Sequence, residues 1–203
     1  KEISVEEGST TSSEGGDSSS ATLLFEGKRI PFYSEKDPKN LPWKELGVDV
    51  VLECTGHFVK DGAAKVHLEA GAKRVVLSAP AKGEGGIKTF LKGVNEVEYD
   101  SEEVISNASC TTNCIAPVIS ILNSEIGIEK AGMTTIHAAT ATQNLIDGPH
   151  KDPRRGRSAM QNAIPTTTGA AIATTKVIPD LEGKFDGMAV RIPILVGSLS
   201  DIT

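Results

Sequence analysis

The stretch Ser106-Asn107-Ala108-Ser109-Cys110-Thr111-Thr112-Asn113-Cys114-Ile115-Ala116-Pro117 is a strand-to-helix junction. The apolar pair Val104-Ile105 leads into it. Ile115, Val118, Ile119 and Leu122 then follow at spacings that cover one face of a helix. Ser109 is the expected N-cap and Cys110 a residue of the first helical turn. Unpaired backbone N–H groups and the positive end of the helix dipole both favour an anion there. An ordinary thiol, with a pKa near ~8.5, is only about 3 % thiolate at pH 7, and a helix start is one of the places that raises this fraction. Cys110 is therefore a candidate nucleophile, against the alternative that it is inert packing, as most cysteines are. Cys114, one turn later on the same face, reads as a wall or structural residue. A Cys-x3-Cys pair with no second pair of ligands is a weak zinc signal, and no metal is expected.

The chain has 203 residues, enough for one domain or two small ones with a sizeable core. A net charge of −6 provides no general basic field, which argues against nucleic acid as the main partner. Three cysteines do not make a disulfide framework, and no N-terminal signal segment stands out, so a reducing, cytoplasmic setting is expected. No apolar run approaches a membrane span. The sequence begins at Lys1 without Met and ends at Thr203 in a strand-like run, as a fragment would.

Residues 2–7 alternate like a short strand, and the Ser/Thr/Gly-rich stretch 9–20 reads as a flexible loop at a hairpin tip. Residues 22–25 and 29–33 flank Glu26-Gly27-Lys28, a hairpin signal. The near-continuous apolar run 48–52 is a strand covered on both faces, and 74–77 is a second. Between them 60–72 reads as a helix with Ala64, Val66 and Leu68 as its apolar contacts, completing a βαβ unit. Ligands of such sheets lie beyond the carboxyl ends of the strands, where Thr55-Gly56 and Ser78-Ala79-Pro80 stand. No Gly-x-Gly-x-x-Gly opens a helix after a strand. Farther on, 133–137 reads as a strand, 142–162 as a long loop, 169–177 as a short helix stopped at Pro179, and the chain from Phe185 as strands.

A thiolate attacking a carbonyl needs a base, and His137 is the best candidate; His57, His67 and His150 read as solvated or structural. Pro165-Thr166-Thr167-Thr168-Gly169 precedes a helix, and is either a capped helix start or a place where hydroxyls and N–H groups converge on a phosphate. Arg191 interrupts an otherwise apolar strand, so its guanidinium needs either an internal carboxylate or a bidentate phosphate. Arg154, Arg155 and Arg157 form either a solvated cluster or part of an anion site.

The segment 106–114 resembles the active-site signature of phosphorylating glyceraldehyde-3-phosphate dehydrogenases. The resemblance continues through Met133-Thr-Thr-Ile-His137-Ala-Ala-Thr-Ala-Thr-Gln143, Pro165-Thr-Thr-Thr-Gly-Ala-Ala171 and Gly187-Met-Ala-Val-Arg191-Ile-Pro193. Upstream it takes in Asp37-Pro-Lys-Asn-Leu-Pro-Trp43, Glu53-Cys-Thr-Gly56 and Ser78-Ala-Pro80, so that about 22–203 is covered in family order. It implies an α/β fold: the later part of a Rossmann-type parallel sheet (1–108, a partial NAD-binding domain), then part of an α+β catalytic domain with a mainly antiparallel sheet (109–203). The family's Gly-rich pyrophosphate loop and its C-terminal portion lie outside this sequence.

The same resemblance implies oxidation of glyceraldehyde 3-phosphate to 1,3-bisphosphoglycerate in glycolysis, through a thiohemiacetal and a thioester on Cys110, with His137 moving the proton. It implies inorganic phosphate near Ser109, Thr111, Thr168 and Gly169, and the substrate's phosphate near Thr140, Arg155 and Arg191. NAD is expected against Thr55, Gly56, Ser78 and Ala79; NADP stays open because the ribose-reading segment is not in this sequence. The long loop is expected to meet neighbouring subunits of a homotetramer. Erythrose 4-phosphate oxidation, a thiol acyl-transferase or esterase keeping the Cys–His pair, and an inactive fragment serving assembly are the alternatives.

Overall fold

The computed structural model describes residues 3–7 and 19–203. Of the Ser/Thr/Gly-rich stretch, residues 9–18 lie outside the described residues, whereas Ser19 and Ser20 open a strand. That strand, β2 (Ser19–Phe25), pairs antiparallel with β1 (Ile3–Glu7) and with β3 (Lys28–Ser34). Glu26 and Gly27 join β2 to β3 with φ of 49° and 76°. Two positive φ values in a two-residue loop give a turn whose twist matches the flanking strands, and glycine takes the second without strain.

The second sheet is wholly parallel. Its strands are β4 (Val50–Glu53), β5 (Arg74–Leu77), β6 (Lys88–Thr89) and β7 (Val104–Ser106), in the order β4-β5-β7-β6. This is the expected Rossmann-type portion. The crossover from β4 to β5 departs from expectation: instead of a helix over 60–72 it holds a 3-10 turn, Ala63–Lys65, and one α turn, α1 (Val66–Glu69). Asp61 (φ 51°) and Gly62 (φ 78°) turn the backbone left-handed just before, and Gly71 (φ 102°) does so just after, which leaves no room for a longer helix. Its inward residues are Ala64 and His67, with Val66 and Leu68 only half-buried. Val51, Ala64, Ala72, Val75, Leu77 and Val104 form the core between crossover and sheet.

The third sheet follows α2 (Cys110–Glu125) and comprises β8 (Ala131–Ala138), β9 (Ile164–Thr167), β10 (Phe185–Ile192) and β11 (Ser198–Ile202), ordered β11-β8-β10-β9. β8 and β10 run parallel, while the two outer pairings are antiparallel. Pro165 sits in β9, an edge strand, where a missing N–H costs least. Helices α2 and α3 (Ala170–Val177) share a core with Met133 and Phe185 of this sheet. On α2 the buried side is Thr111, Thr112, Ile115, Ala116 and Ile119; Val118 and Leu122, expected inside, are 49 % and 37 % exposed. Small residues decide this rotation: Ala116 lies in the same buried cluster as Ala170 and Ala173 of α3, which lets the two helices approach closely. Among the described residues no helix is long and apolar enough to cross a membrane.

Candidate active site

β7 ends at Ser106, and four residues later the chain is helical. The corner is made by Ala108, a non-glycine residue at φ 55°, buried at 2 % exposure. Hydrogen bonds hold it there: Ser106 Oγ donates to Ala79 O (2.9 Å) and accepts from Ala108 N (3.1 Å), and Asn107 N donates to Leu77 O (2.9 Å). The start of α2 is thereby pinned beside the carboxyl end of β5, where Ser78 and Ala79 lie. Ser109 caps the helix as expected, its Oγ accepting from Thr112 N at 3.1 Å. Cys110 is the first helical residue and is exposed, as is Cys114 one turn later.

Cys110 Sγ lies 3.8 Å from His137 Nε2. The imidazole comes from β8, and the parallel register of β8 and β10 sets Arg191 beside it on the same face. Arg191 Nη1 is 2.6 Å from His137 Nδ1 and 3.1 Å from Ala138 O. The Ala138 carbonyl, an acceptor, lies 2.7 Å from the same Nδ1, so that nitrogen stands between a donor and an acceptor while Nε2 faces the sulfur. Arg191 therefore meets no internal carboxylate among the described residues. Among the described residues its Nε is buried and has no hydrogen-bond partner. Burial holds the guanidinium below its ordinary value, the charge at Cys110 opposes this, and the nearby Arg155 adds to it.

The three loop arginines separate. Arg154 pairs with Asp152 at 3.0 Å and Arg157 with Asp147 at 3.2 Å, both on the surface. Arg155 turns inward, Nε donating to Thr166 Oγ1 of β9 at 2.8 Å, with Asp152 only at 3.8 Å. Thr140 is exposed just past β8, its N and Oγ1 both on Gln143 Oε1 (2.9 and 3.2 Å). Thr168 Oγ1 accepts from Ala170 N at 3.2 Å at the start of α3, and Gly169 is that helix's N-cap. Thr111 is buried at 7 % exposure. Direct contacts thus join Cys110, His137 and Arg191; Ser109, Thr111, Thr140, Arg155, Thr168 and Gly169 stand on the neighbouring elements.

Thr55, Gly56 and Ser78 are exposed and Ala79 half-buried, all at the carboxyl ends of β4 and β5. A Cβ added at Gly56 would meet nothing within 4 Å, so this residue borders open space. Among the described residues no group of three or more His, Cys, Asp and Glu could hold a metal ion.

Sequence reasoning gave no role to Ser106 or Gln143, whose partners lie 27 and 3 residues away, and named Thr166 only within the run 165–169, not as the partner of Arg155. Of the two readings of His67, solvated or structural, the structure shows the second, a buried pair with Glu53 (2.9 Å) whose partner was not foreseen. A carboxylate at the end of an apolar strand was the available signal.

Residues 109–203 match the family model for the glyceraldehyde 3-phosphate dehydrogenase C-terminal domain, and 8–61 match that for the same family's NAD binding domain. The chain is 52 % identical over 182 residues to glyceraldehyde-3-phosphate dehydrogenase 1 of Kluyveromyces lactis, covering 89 % of this chain and 54 % of that protein. It is 55 % identical over 187 residues to glyceraldehyde-3-phosphate dehydrogenase of Chlamydia pneumoniae, with 90 % and 55 % covered. The protein of that name from Haloarcula vallismortis is 53 % identical over 169 residues, with 83 % and 50 % covered. The chain spans about half the length of the curated relatives it matches. It belongs to the glyceraldehyde 3-phosphate dehydrogenase family.

Proposed function

We propose that this chain carries the thiol site of a phosphorylating glyceraldehyde-3-phosphate dehydrogenase, which converts glyceraldehyde 3-phosphate to 1,3-bisphosphoglycerate. The observation that carries the reading is the row Cys110–His137–Arg191: a sulfur at a helix start, 3.8 Å from an imidazole whose other nitrogen is gripped by a half-buried cation. Cys110, as thiolate, attacks the aldehyde carbon and forms the C–S bond of a thiohemiacetal. His137 Nε2 lies where it can exchange a proton with the new hydroxyl.

NAD, when bound, supplies the acceptor for the hydride; Thr55, Gly56, Ser78 and Ala79 are the residues of this chain that would hold it. Cys110 then retains the acyl group as a thioester. Inorganic phosphate, drawn by Ser109, Thr111, Thr168 and Gly169, attacks that carbon and the thiolate leaves. Thr140, Arg155 and Arg191 hold the substrate's own phosphate, a role that the unpartnered Arg191 Nε supports. A phosphate that draws the guanidinium off His137 frees Nδ1 to donate to Ala138 O, which is 2.7 Å away, and turns the Nε2 lone pair toward the substrate.

We read residues 1–108 as a partial NAD-binding domain and 109–203 as a partial catalytic domain, and the working assembly as a cytoplasmic homotetramer active in glycolysis. The deciding assay is NADH formation by the intact protein that requires both aldehyde and inorganic phosphate. Ester hydrolysis indifferent to NAD would overturn the reading in favour of an acyl-transferase. Faster turnover of erythrose 4-phosphate would overturn the choice of substrate.

A further inference from the structure

Beneath the end of β4 runs a buried polar chain with no part in the thiol chemistry. Trp43 Nε1, which can only donate, lies 3.2 Å from His67 Nδ1. Nδ1 therefore presents its lone pair, and the ring's hydrogen is on Nε2, 2.9 Å from Glu53 Oε2. The other carboxylate oxygen, Oε1, accepts from the Thr55 backbone N–H at 2.7 Å and from the Thr55 hydroxyl. Thr55 Oγ1 in turn accepts from His57 N at 3.1 Å. The backbone carbonyl of Glu53 accepts from Ser78 N at 3.0 Å.

Every hydrogen along this chain has one possible direction. Glu53 and His67 are each only 4 % exposed, so the carboxylate depends on these donors in place of water. The donors, together with the imidazole, hold its carboxyl below the ordinary range despite burial, which opposes them. A groove of about 520 Å³ runs along β4 with Trp43, Glu53, Thr55 and His67 in its lining.

We propose that Glu53 is a positioning residue for the dinucleotide: its side chain fixes the loop after β4 and its carbonyl the loop after β5, while His67 and Trp43 fix Glu53. The proposal rests on the cofactor reading above. It adds a specificity: the Thr55 hydroxyl has committed its hydrogen to Glu53, so it offers a ligand only a lone pair and selects a donor such as a ribose hydroxyl or a carboxamide N–H.

The test is calorimetric titration of the intact protein with NAD, alongside steady-state kinetics and the rate of Cys110 alkylation without NAD. Glu53→Gln keeps the shape but has one acceptor oxygen for two sets of donors, so one set is left unpaired. It should bind NAD roughly ten- to hundredfold more weakly, with kcat at saturating NAD and the alkylation rate retained. His67→Gln restores a donor to Glu53 and should stay close to the unmodified protein, whereas His67→Leu should not. Thr55→Val, which buries no unpaired charge, should weaken NAD in the same direction, and combining it with Glu53→Gln should cost less than the two effects added. Unchanged NAD affinity in Glu53→Gln and Thr55→Val, or a loss of alkylation equal to the loss of NAD binding, would overturn the proposal while leaving the cofactor reading intact. Failure of the unmodified protein to bind NAD would overturn both.

Discussion

Two histidines of this chain each set Nδ1 against a group that can only donate and Nε2 against an acidic one. At His67 that donor is Trp43 alone, whereas His137 Nδ1 meets both Arg191 and the Ala138 carbonyl. Nε2 of His67 faces the carboxylate of Glu53 and Nε2 of His137 the sulfur of Cys110. The difference lies in what surrounds them. His67 is closed off from solvent among Trp43, Phe58 and Glu53, and Glu53 is as deeply buried as the ring. His137 is half-buried, its sulfur neighbour is exposed, and its arginine carries a spare donor. An imidazole becomes an agent of proton transfer when its partners can be exchanged, and a structural joint when they cannot.

Substitutions at the two sites should therefore fail in different currencies. The largest effect is expected at the sulfur: Cys110→Ser should lower turnover by roughly 10⁴-fold or more with the thermal midpoint nearly unchanged, and His137→Asn by about 10²–10⁴-fold. Next comes His67→Leu, which strands the Glu53 carboxylate and should cost about 3–5 kcal/mol in urea unfolding. The rate of Cys110 alkylation per folded molecule should not change. Arg191→Leu should lower kcat/KM for the phosphorylated aldehyde by roughly ten- to hundredfold, and much less for an aldehyde without a phosphate.

Acid sharpens the contrast further. The carboxyl of Glu53 is held below its ordinary value of 4.5. Its stabilising share is therefore present above that pH and is lost as pH falls through the lower, folded-state value. Glu53→Gln should flatten the loss of stability below about pH 4.5. The smallest change is Ser109→Ala, which removes the α2 cap and should cost about 1 kcal/mol.

What could be read from the sequence was what depends on near neighbours. The β2–β3 hairpin, the strand 74–77, the Ser109 cap and the start of α2 are each set by a few consecutive residues, and each appears where expected. The Cys110–His137 contact spans 27 residues and no local pattern encodes it; the family resemblance supplied it. The helix over 60–72 was misjudged because apolar spacing does not reveal that Asp61 adopts a positive φ. The Glu53–His67–Trp43 chain was invisible for another reason. Its members lie 14 and 24 residues apart, and a histidine between apolar residues reads equally well as surface or as core.

The parallel pairing of β8 with β10 carries a consequence for how this protein can vary. His137 and Arg191 face the same way only because they are directly matched in register. Deleting or inserting a single residue in β10 upstream of Arg191 would send the guanidinium to the opposite face and deprive the imidazole of its partner. Exchanges of one side chain for another along these strands are local events, but a change in their length dismantles the site at a distance. Natural variants of this segment should accordingly differ in spelling while keeping the same count.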